Sequence, residues 1–484
     1  MPAKLYKLNA SPPARAAMMA CELFKVPVEM VNVDLMKGEN RTPEYLKMNP
    51  LHTVPVFADG DLVIHESHAI LIYLAEVYGK DSSFYPKDVK QRALINQKLF
   101  FNDGVLFTRT RNIAYPAFML GQKGVTEQQL KDLEECYEFL EEILSRQKYI
   151  ALDHITIADV AAYATVSVFD YILPLNAKYS KLSAWLKEME KQPYAVKHNA
   201  EGLKMIGTFI HSAVNSKQSS TANCVAQTKP IPEPAEGFRR DGHAACAEIA
   251  STANFEHCAL RASEAIKMPA KLYKLNASPP ARAVMMACEI FKVPVEMVNV
   301  ELIKGENRTP EYLKMNPLHT VPVFADGDLV IHESHAILIY LAEVYGKDSS
   351  FYPKDVKQRA LINQKLFFND GVLFTRMRNI TYPAFVLGQK GVTEQQLKDL
   401  EECYEFLEEI LSRQKYIALD HITIADVAAY ATVSVFDYIL PLNAKYSKLS
   451  AWLKEMEKQP YAVKHNAEGL KTLGTFIHSA VNFK

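Results

Sequence analysis

Ser11 lies in the run Ser11-Pro12-Pro13-Ala14-Arg15, between an apolar stretch that ends at Leu8 and a stretch carrying Met18, Met19, Leu23 and Phe24 at helical spacing. A serine at that point caps a helix, and Pro12 suits the first helical position, where a missing N–H costs nothing. It also sets a hydroxyl at the positive end of the helix dipole, where negative charge is favoured. A plain capping serine and an anion-binding serine both fit these residues. Glu66-Ser67 opens a second helical pattern, whose first backbone N–H groups make a natural carboxylate site. An acidic first turn that only complements the dipole is the other reading. Between the two, His52 precedes Val54-Pro55, a proline at the start of a strand pattern, tolerated only where no ladder hydrogen bond is required. Taken alone, the histidine reads as a surface residue and the peptide bond as trans.

These residues need a scaffold that alternates strand and helix. Residues 4–8 read as a strand, 12–25 as a helix and 28–33 as a second, alternating strand. Residues 54–57, the turn Asp59-Gly60-Asp61 and residues 62–64 read as a hairpin, and 66–78 as a helix closed by Gly79. From about residue 87 the pattern is helical throughout, over 89–120, 126–146, 156–171 and shorter helices from 178. Thr156-Ile157-Ala158-Asp159 fits a capping box with Asp in place of the usual Glu. The expected fold class is a small α/β domain followed by an all-α helical domain.

Composition narrows the function classes. With 49% hydrophobic and 23% charged residues and a net charge of -1, the 484-residue chain has an ordinary globular balance, and nothing points to a nucleic-acid or anionic-membrane partner. No apolar run approaches the roughly 18 residues a membrane span requires, and Met1-Pro2-Ala3-Lys4 leads straight into a strand pattern, so a cytoplasmic protein is expected. Seven cysteines are too few and too scattered for a disulfide framework, and no CxxC or His/Cys cluster has zinc spacing. Reduced thiols and no metal are expected.

Residues 268–484 repeat residues 1–217, and only ten aligned positions differ. A repeat this long is a duplicated protein, each copy large enough to bury its own core, so every site is expected twice. The copies divide into α/β domains at 1–80 and 268–347 and helical domains at 87–217 and 354–484. Residues 218–267 differ in character: 218–223 are polar, and Pro230-Ile231-Pro232-Glu233-Pro234 favours an extended conformation. The segment reads as a flexible linker, and its Cys224, Cys246 and Cys258 as incidental thiols. Met268-Pro269-Ala270 restarts the unit, as end-to-end joining of two neighbouring genes would produce.

Each copy, in its element order and in four motifs, resembles the cytosolic glutathione transferases, most closely their insect epsilon and delta classes. The motifs are Leu8-Asn9-Ala10-Ser11-Pro12-Pro13-Ala14-Arg15, Leu46-Lys47-Met48-Asn49-Pro50-Leu51-His52-Thr53-Val54-Pro55, Glu66-Ser67-His68-Ala69-Ile70-Leu71-Ile72-Tyr73-Leu74 and Thr156-Ile157-Ala158-Asp159. The resemblance implies a thioredoxin-like α/β domain and glutathione as co-substrate. Glutathione is anionic, and its thiol must lose a proton before it attacks an electrophile. A free thiol has a pKa of about 8.5, so hydrogen-bond donors must be aimed at the developing thiolate. The family pattern assigns that role to Ser11 and Ser278. Tyr6 is the competing donor, since other branches use a tyrosine at about this point of the first strand; Ser-Pro-Pro-x-Arg matches the serine type and leaves Tyr6 to pack.

The resemblance implies further that Val54-Pro55 and Val321-Pro322 are cis, with the residue before each proline pairing through its backbone with the glutathione cysteine like an added strand. Ser67 and its N–H would hold the γ-glutamyl carboxylate, Glu66 the ammonium and His52 the glycyl carboxylate. Pro12, Leu35, Thr53, His68 and Arg111 complete the contacts expected in the first copy, Arg111 toward the cysteine moiety of glutathione or toward the substrate. In the second they fall to Pro279, Leu302, His319, Thr320, Glu333, Ser334, His335 and Arg378. His68 stands where delta-class proteins often carry arginine and agrees with the epsilon pattern.

The electrophile site is expected on the long helix, where Phe107, Thr110, Ala114 and Phe118 share one face by helical spacing, with Phe374, Met377, Thr381 and Phe385 as twins. Such a face is ordinarily core. Three of the ten differences collect here, however: Thr110 becomes Met377, Ala114 becomes Thr381 and Met119 becomes Val386, so the copies are expected to differ in electrophile preference. Family members are dimers. A flexible 50-residue linker has a root-mean-square span of roughly 35–42 Å, which lets the copies pair with each other as a pseudo-dimer, or with another chain. Conjugation of glutathione to hydrophobic electrophiles is the implied function. The alternatives are a sequestering protein of the same fold and a glutathione-dependent isomerase or dehydrochlorinase.

Overall fold

The computed structural model describes residues 2–214 and 269–480. The linker expected at 218–267, with its three cysteines, lies outside the described residues.

In the first repeat β1 (Ala3–Lys7) runs parallel to β2 (Val28–Asn32) and antiparallel to β3 (Val56–Asp59), which forms a hairpin with β4 (Leu62–His65). The sheet order is β2-β1-β3-β4. Alternation sorts the side chains of β1: Ala3, Leu5 and Lys7 are buried, while Tyr6 turns to the opposite face. Leu5, Phe57 and Ile64 carry the buried face across the sheet onto α1 (Pro12–Leu23) and α3 (Ser67–Tyr78). A short helix that the sequence pattern missed, α2 (Pro43–Met48), is started by Thr42, whose hydroxyl accepts from Tyr45 N.

The helical part begins with α4 (Val89–Phe101) and α5 (Thr108–Leu120), expected as one helix. They are continuous but joined by a wider π-type stretch, Asn102–Phe107. Next come α6 (Glu127–Arg146), α7 (Ile157–Val166), α8 (Ser180–Glu190), α9 (Pro193–His198) and α10 (Ala200–Val214). The helix expected to run to Tyr171 ends at Val166, followed by a 3-10 turn at Phe169–Tyr171.

Helix α7 is buried all round, so its N-terminal N–H groups cannot turn to water. The capping box satisfies them: Thr156 accepts from Ala158 N at 3.2 Å, and Asp159 accepts from Thr156 N at 2.8 Å. Asp159 also accepts from Ile150 N and Trp185 Nε1, tying α7 to α8. Arg15, fully buried, joins the two layers of the repeat. Its guanidinium donates to the Ala10 carbonyl at 3.1 Å, to the Ala164 carbonyl at 2.9 Å and to Asn199 Oδ1 at 2.8 Å. In the second repeat β5 (Ala270–Lys274), β6 (Val295–Asn299), β7 (Val323–Asp326) and β8 (Leu329–His332) form the same sheet, in the order β6-β5-β7-β8, with the same helices. Each repeat is thus a thioredoxin-like α/β domain followed by an all-α domain.

Contacts between the repeats occur in matched pairs. Phe100 stacks on Phe367 with ring centroids 4.1 Å apart. Lys90 pairs with Asp328 as Lys357 does with Asp61. Arg146 donates to the Lys314 carbonyl and Arg413 to that of Lys47, both at 3.0 Å. Each helix from Val89 or Val356 lies against the other repeat's helix from Ser334 or Ser67.

Candidate functional site

Strand register brings the three chemistry-bearing turns to one end of the sheet. Tyr6 faces Val56, and Val56 faces His65. The β1–α1 turn with Ser11, the approach to β3 with Val54-Pro55, and the β4–α3 turn with Glu66-Ser67 therefore share an edge. Chain order alone separates them by tens of residues.

Ser11 is the N-cap of α1, half-buried, and its Oγ accepts from Ala14 N at 3.4 Å; Ser278 does the same toward Ala281 N at 3.5 Å. Since the oxygen only accepts in this cap, the hydroxyl proton remains free to donate. Tyr6 packs edge-on against Tyr45, centroids 6.3 Å apart, within the small cluster of Val33, Val54 and Val56. Leu35 joins the same cluster. Pro12 is half-buried and its twin Pro279 buried; Leu302 opens a 3-10 turn in the second repeat.

Val54-Pro55 and Val321-Pro322 are cis. The preceding loop is held from below: Tyr45 Oη and Asn49 Nδ2 donate to the Thr53 carbonyl at 2.6 and 2.9 Å, and Asn40 Nδ2 donates to that of His52. Tyr312, Asn316 and Asn307 treat Thr320 and His319 alike. His52 and Glu66 both have positive φ, 47° and 67°, a region that a non-glycine residue adopts only when its surroundings impose it. Glu66 caps α3 with no side-chain cap bond of its own, and its carboxylate Oε1 lies 3.3 Å from His65 Nδ1. Ser67, buried, begins the helix.

Several expected contact residues turn toward the other repeat. His52 Nε2 lies 3.5 Å from Glu402 Oε1, and His319 3.7 Å from Glu135. The His52 ring and Arg376 together hold Glu402 down at about 2. The His68 ring is buried, stacked on Phe367 with centroids 5.0 Å apart and 2.8 Å from the Asn102 amide. Burial alone pushes its pKa down to about 3, so it is a neutral seam residue rather than a charged group at the mouth of the site. His335 repeats this against Phe100. Arg111 stacks over Tyr115 and Arg378 over Tyr382.

The electrophile face divides. Phe107, Ala114 and Phe118 are half-buried, as are Phe374 and Thr381, and Phe385 is exposed. Thr110 and Met377 are closed off: the Thr110 hydroxyl donates back to the Leu106 carbonyl, and Met377 enters the core. Helix α10 completes the wall by packing on α5, Phe118 against Phe209 at 5.2 Å and Phe385 against Phe476 at 4.6 Å. Met205 lies on α10, 51% exposed, where the second repeat has Thr472; Ile206 beside it becomes Leu473. Five of the ten differences therefore fall on α5 and α10 or their twins.

Sequence reasoning missed the residues that reach across from the other repeat, Glu402 and Glu135 beside His52 and His319, and Gln364 and Gln97 at the main-chain N–H of His65 and His332, as well as the Asp103–Asp370 pair where the repeats meet. One signal was present: the glycine of Asn102-Asp103-Gly104, inside a helical pattern, marks a close backbone approach. Among the described residues no cluster of three or more metal-ligating side chains occurs, and no helix is long and apolar enough to cross a membrane.

Comparison with known proteins adds to this geometry. A family model described as glutathione S-transferase, N-terminal domain, matches residues 1–76 and 268–343; the corresponding C-terminal domain matches 123–188 and 390–455. Glutathione S-transferase 1 of Manduca sexta is 41% identical over 201 residues, covering 41% of this chain and 92% of that protein. Glutathione S-transferase D6 of Drosophila melanogaster is 36% identical over 187 residues, 39% of this chain and 86% of its own. Among solved structures, an epsilon-class glutathione S-transferase from the housefly Musca domestica is 39% identical and covers 44% of this chain and 98% of its own, with a TM-score of 0.43.

Proposed function

From the premise that the chain belongs to the glutathione S-transferase family, with both of the family's domains present twice, we propose that each repeat is a serine-type active site that transfers glutathione to hydrophobic electrophiles in detoxification. The observation that carries this reading is Ser11 at the N-cap of α1, its oxygen engaged as an acceptor and its proton free. Glutathione bound with its sulfur beside Ser11 receives that proton as a hydrogen bond to the thiolate. The helix dipole adds to the stabilisation, worth about 0.3–1 kcal/mol at such an end. Both favour S⁻ over SH, lower the thiol pKa and raise the fraction of nucleophile at neutral pH.

The tripeptide would lie along the shared sheet edge. Val54 pairs with its cysteine backbone, Ser67 and the first N–H groups of α3 hold the γ-glutamyl carboxylate, Glu66 holds the ammonium, and His52 approaches the glycyl carboxylate. The apolar wall of α5 and α10 receives the electrophile. We infer that the two repeats pair within one chain and work in the cytoplasm.

The test is glutathione-dependent turnover of chloro-dinitrobenzene by the full chain, compared with the Ser11→Ala/Ser278→Ala double variant at equal folded concentration. Collapse of turnover in the variant is expected. Wild-type protein that binds glutathione without turnover would instead be a sequestering protein.

A further inference from the structure

Two hydrogen bonds link the two repeats just before α3, and a third continues from them to Glu66. The main-chain N–H of His65 donates to Gln364 Oε1 at 2.9 Å, and the Gln364 side-chain nitrogen lies 2.7 Å from His65 Nε2. His65 Nδ1 lies 3.3 Å from Glu66 Oε1. The mirror set joins His332 N to Gln97 Oε1 at 3.0 Å, Gln97 to His332 Nε2 at 2.7 Å, and His332 Nδ1 to Glu333 at 3.4 Å.

The protonation pattern of this set follows from a single obligatory donor. A backbone N–H can only donate, so the amide oxygen of Gln364 must face it and the NH₂ must face the ring. An NH₂ group only donates, so His65 Nε2 is the acceptor and carries no proton. In a neutral imidazole the proton then sits on Nδ1, directed at the Glu66 carboxylate. His65 is buried, and burial lowers its pKa despite Glu66, which keeps the ring neutral. Glu66 itself is held at positive φ. Lys365, the residue after Gln364, is buried on the same helix, and Glu66 is the opposite charge that acts on it across the seam.

We propose that Gln364 is a positioning residue for the first repeat's site: it fixes the tautomer of His65, which orients Glu66 toward the ammonium of glutathione. Gln97 serves Glu333 in the second repeat in the same way. This rests on the reading of Glu66 as the ammonium ligand. Each site is therefore completed by a residue 299 or 235 positions away in the other repeat.

The tandem chain allows a direct test. In full-length protein carrying Ser278→Ala, turnover reports the first site. Gln364→Ala in that background is expected to raise the glutathione KM about 3–10-fold, the range for one lost hydrogen bond of ordinary strength, with kcat at saturating glutathione nearly unchanged. Gln97→Ala cuts the same contact at the other end of the seam, so its effect on the first site measures loss from seam loosening alone, and a smaller KM effect is expected. Equal effects of the two variants, or a larger one from Gln97→Ala, overturn the proposal. If Gln364→Ala fails to fold, Gln364→Asn and Gln97→Asn, one methylene shorter, carry the same comparison. Glu66→Ala separates the two layers of inference. An unchanged glutathione KM in that variant removes the ammonium assignment, whereas a raised KM there with none in Gln364→Ala removes the relay.

Discussion

Asp103 and Asp370 meet across the seam, each carboxyl lying so close over the glycine that follows the other that a side chain at Gly104 or Gly371 would collide with it. Both are buried, and one oxygen of each has no hydrogen-bond partner. The groups that face Asp103 are His68, with Nδ1 3.7 Å from Oδ1, Glu66, Arg111 and the opposing Asp370. Burial and the neighbouring carboxylates hold both pKa values well above the ordinary carboxylate range.

A raised carboxyl pKa means that the folded state binds the proton more tightly than the unfolded chain. The contribution of this pair is therefore complete below the unfolded value of about 3.9 and is lost as pH rises through the raised folded values. The Asp103→Asn/Asp370→Asn variant is expected to be more stable than wild type at neutral pH, with the advantage shrinking as pH falls toward 4. Thermal melts at matched pH test this, and a difference between the two proteins that does not vary with pH would count against it.

Arg15 reaches the carbonyls of Ala10 and Ala164 and the side chain of Asn199 from a fully buried position. Arg15→Ala strands three acceptors between the α/β and helical layers. A loss of about 3–5 kcal/mol is expected, as for breaking a buried charged network. Urea unfolding monitored by tryptophan fluorescence measures it, and a loss below about 1 kcal/mol would show that water replaces the guanidinium.

Tyr6 sits edge-on to Tyr45 in a small apolar cluster. Tyr6→Phe/Tyr273→Phe removes the hydroxyls and keeps the packing, so turnover within about two-fold of wild type is expected, against a loss of about 10²–10³ in kcat for the double serine variant if each serine acts as an oxyanion-type donor. Activity that survives the serine changes and fails in the phenylalanine variant would transfer the donor role to Tyr6 and Tyr273.

The electrophile walls differ between the repeats. Half-buried Ala114 becomes the larger, half-buried Thr381, while Met205 becomes the smaller Thr472, whose hydroxyl is tied to the Glu468 carbonyl at 3.0 Å. With each site isolated by Ser278→Ala or Ser11→Ala, relative kcat/KM over a panel of apolar electrophiles is expected to differ several-fold, on the order that one or two methyl-sized changes confer. Ala114→Thr/Met205→Thr in the first repeat should shift its profile toward the second. Superimposable profiles from the two isolated sites would sink the idea.

What the sequence by itself determined is local and periodic. The strand and helix order, the Ser11 cap and the Thr156–Asp159 box all follow from residues within a few positions of one another, where spacing and hydrogen-bonding capacity dictate structure, and the duplication follows from aligning residues 268–484 with 1–217. The cis form of Val54-Pro55 was legible only with the family resemblance in hand. Tertiary structure alone decided what the seam does to these residues. It drew His68 inward onto Phe367, closed Thr110 off from the electrophile face, widened one long helix into a π stretch at Asn102–Phe107, and set Gln364 against His65. Near-identical repeats carry near-identical patterns, so no periodicity distinguishes the face that meets the other copy from the face that packs on its own core. That choice is made when two buried surfaces match in shape and satisfy each other's polar groups, a property of the assembled fold rather than of any window of sequence.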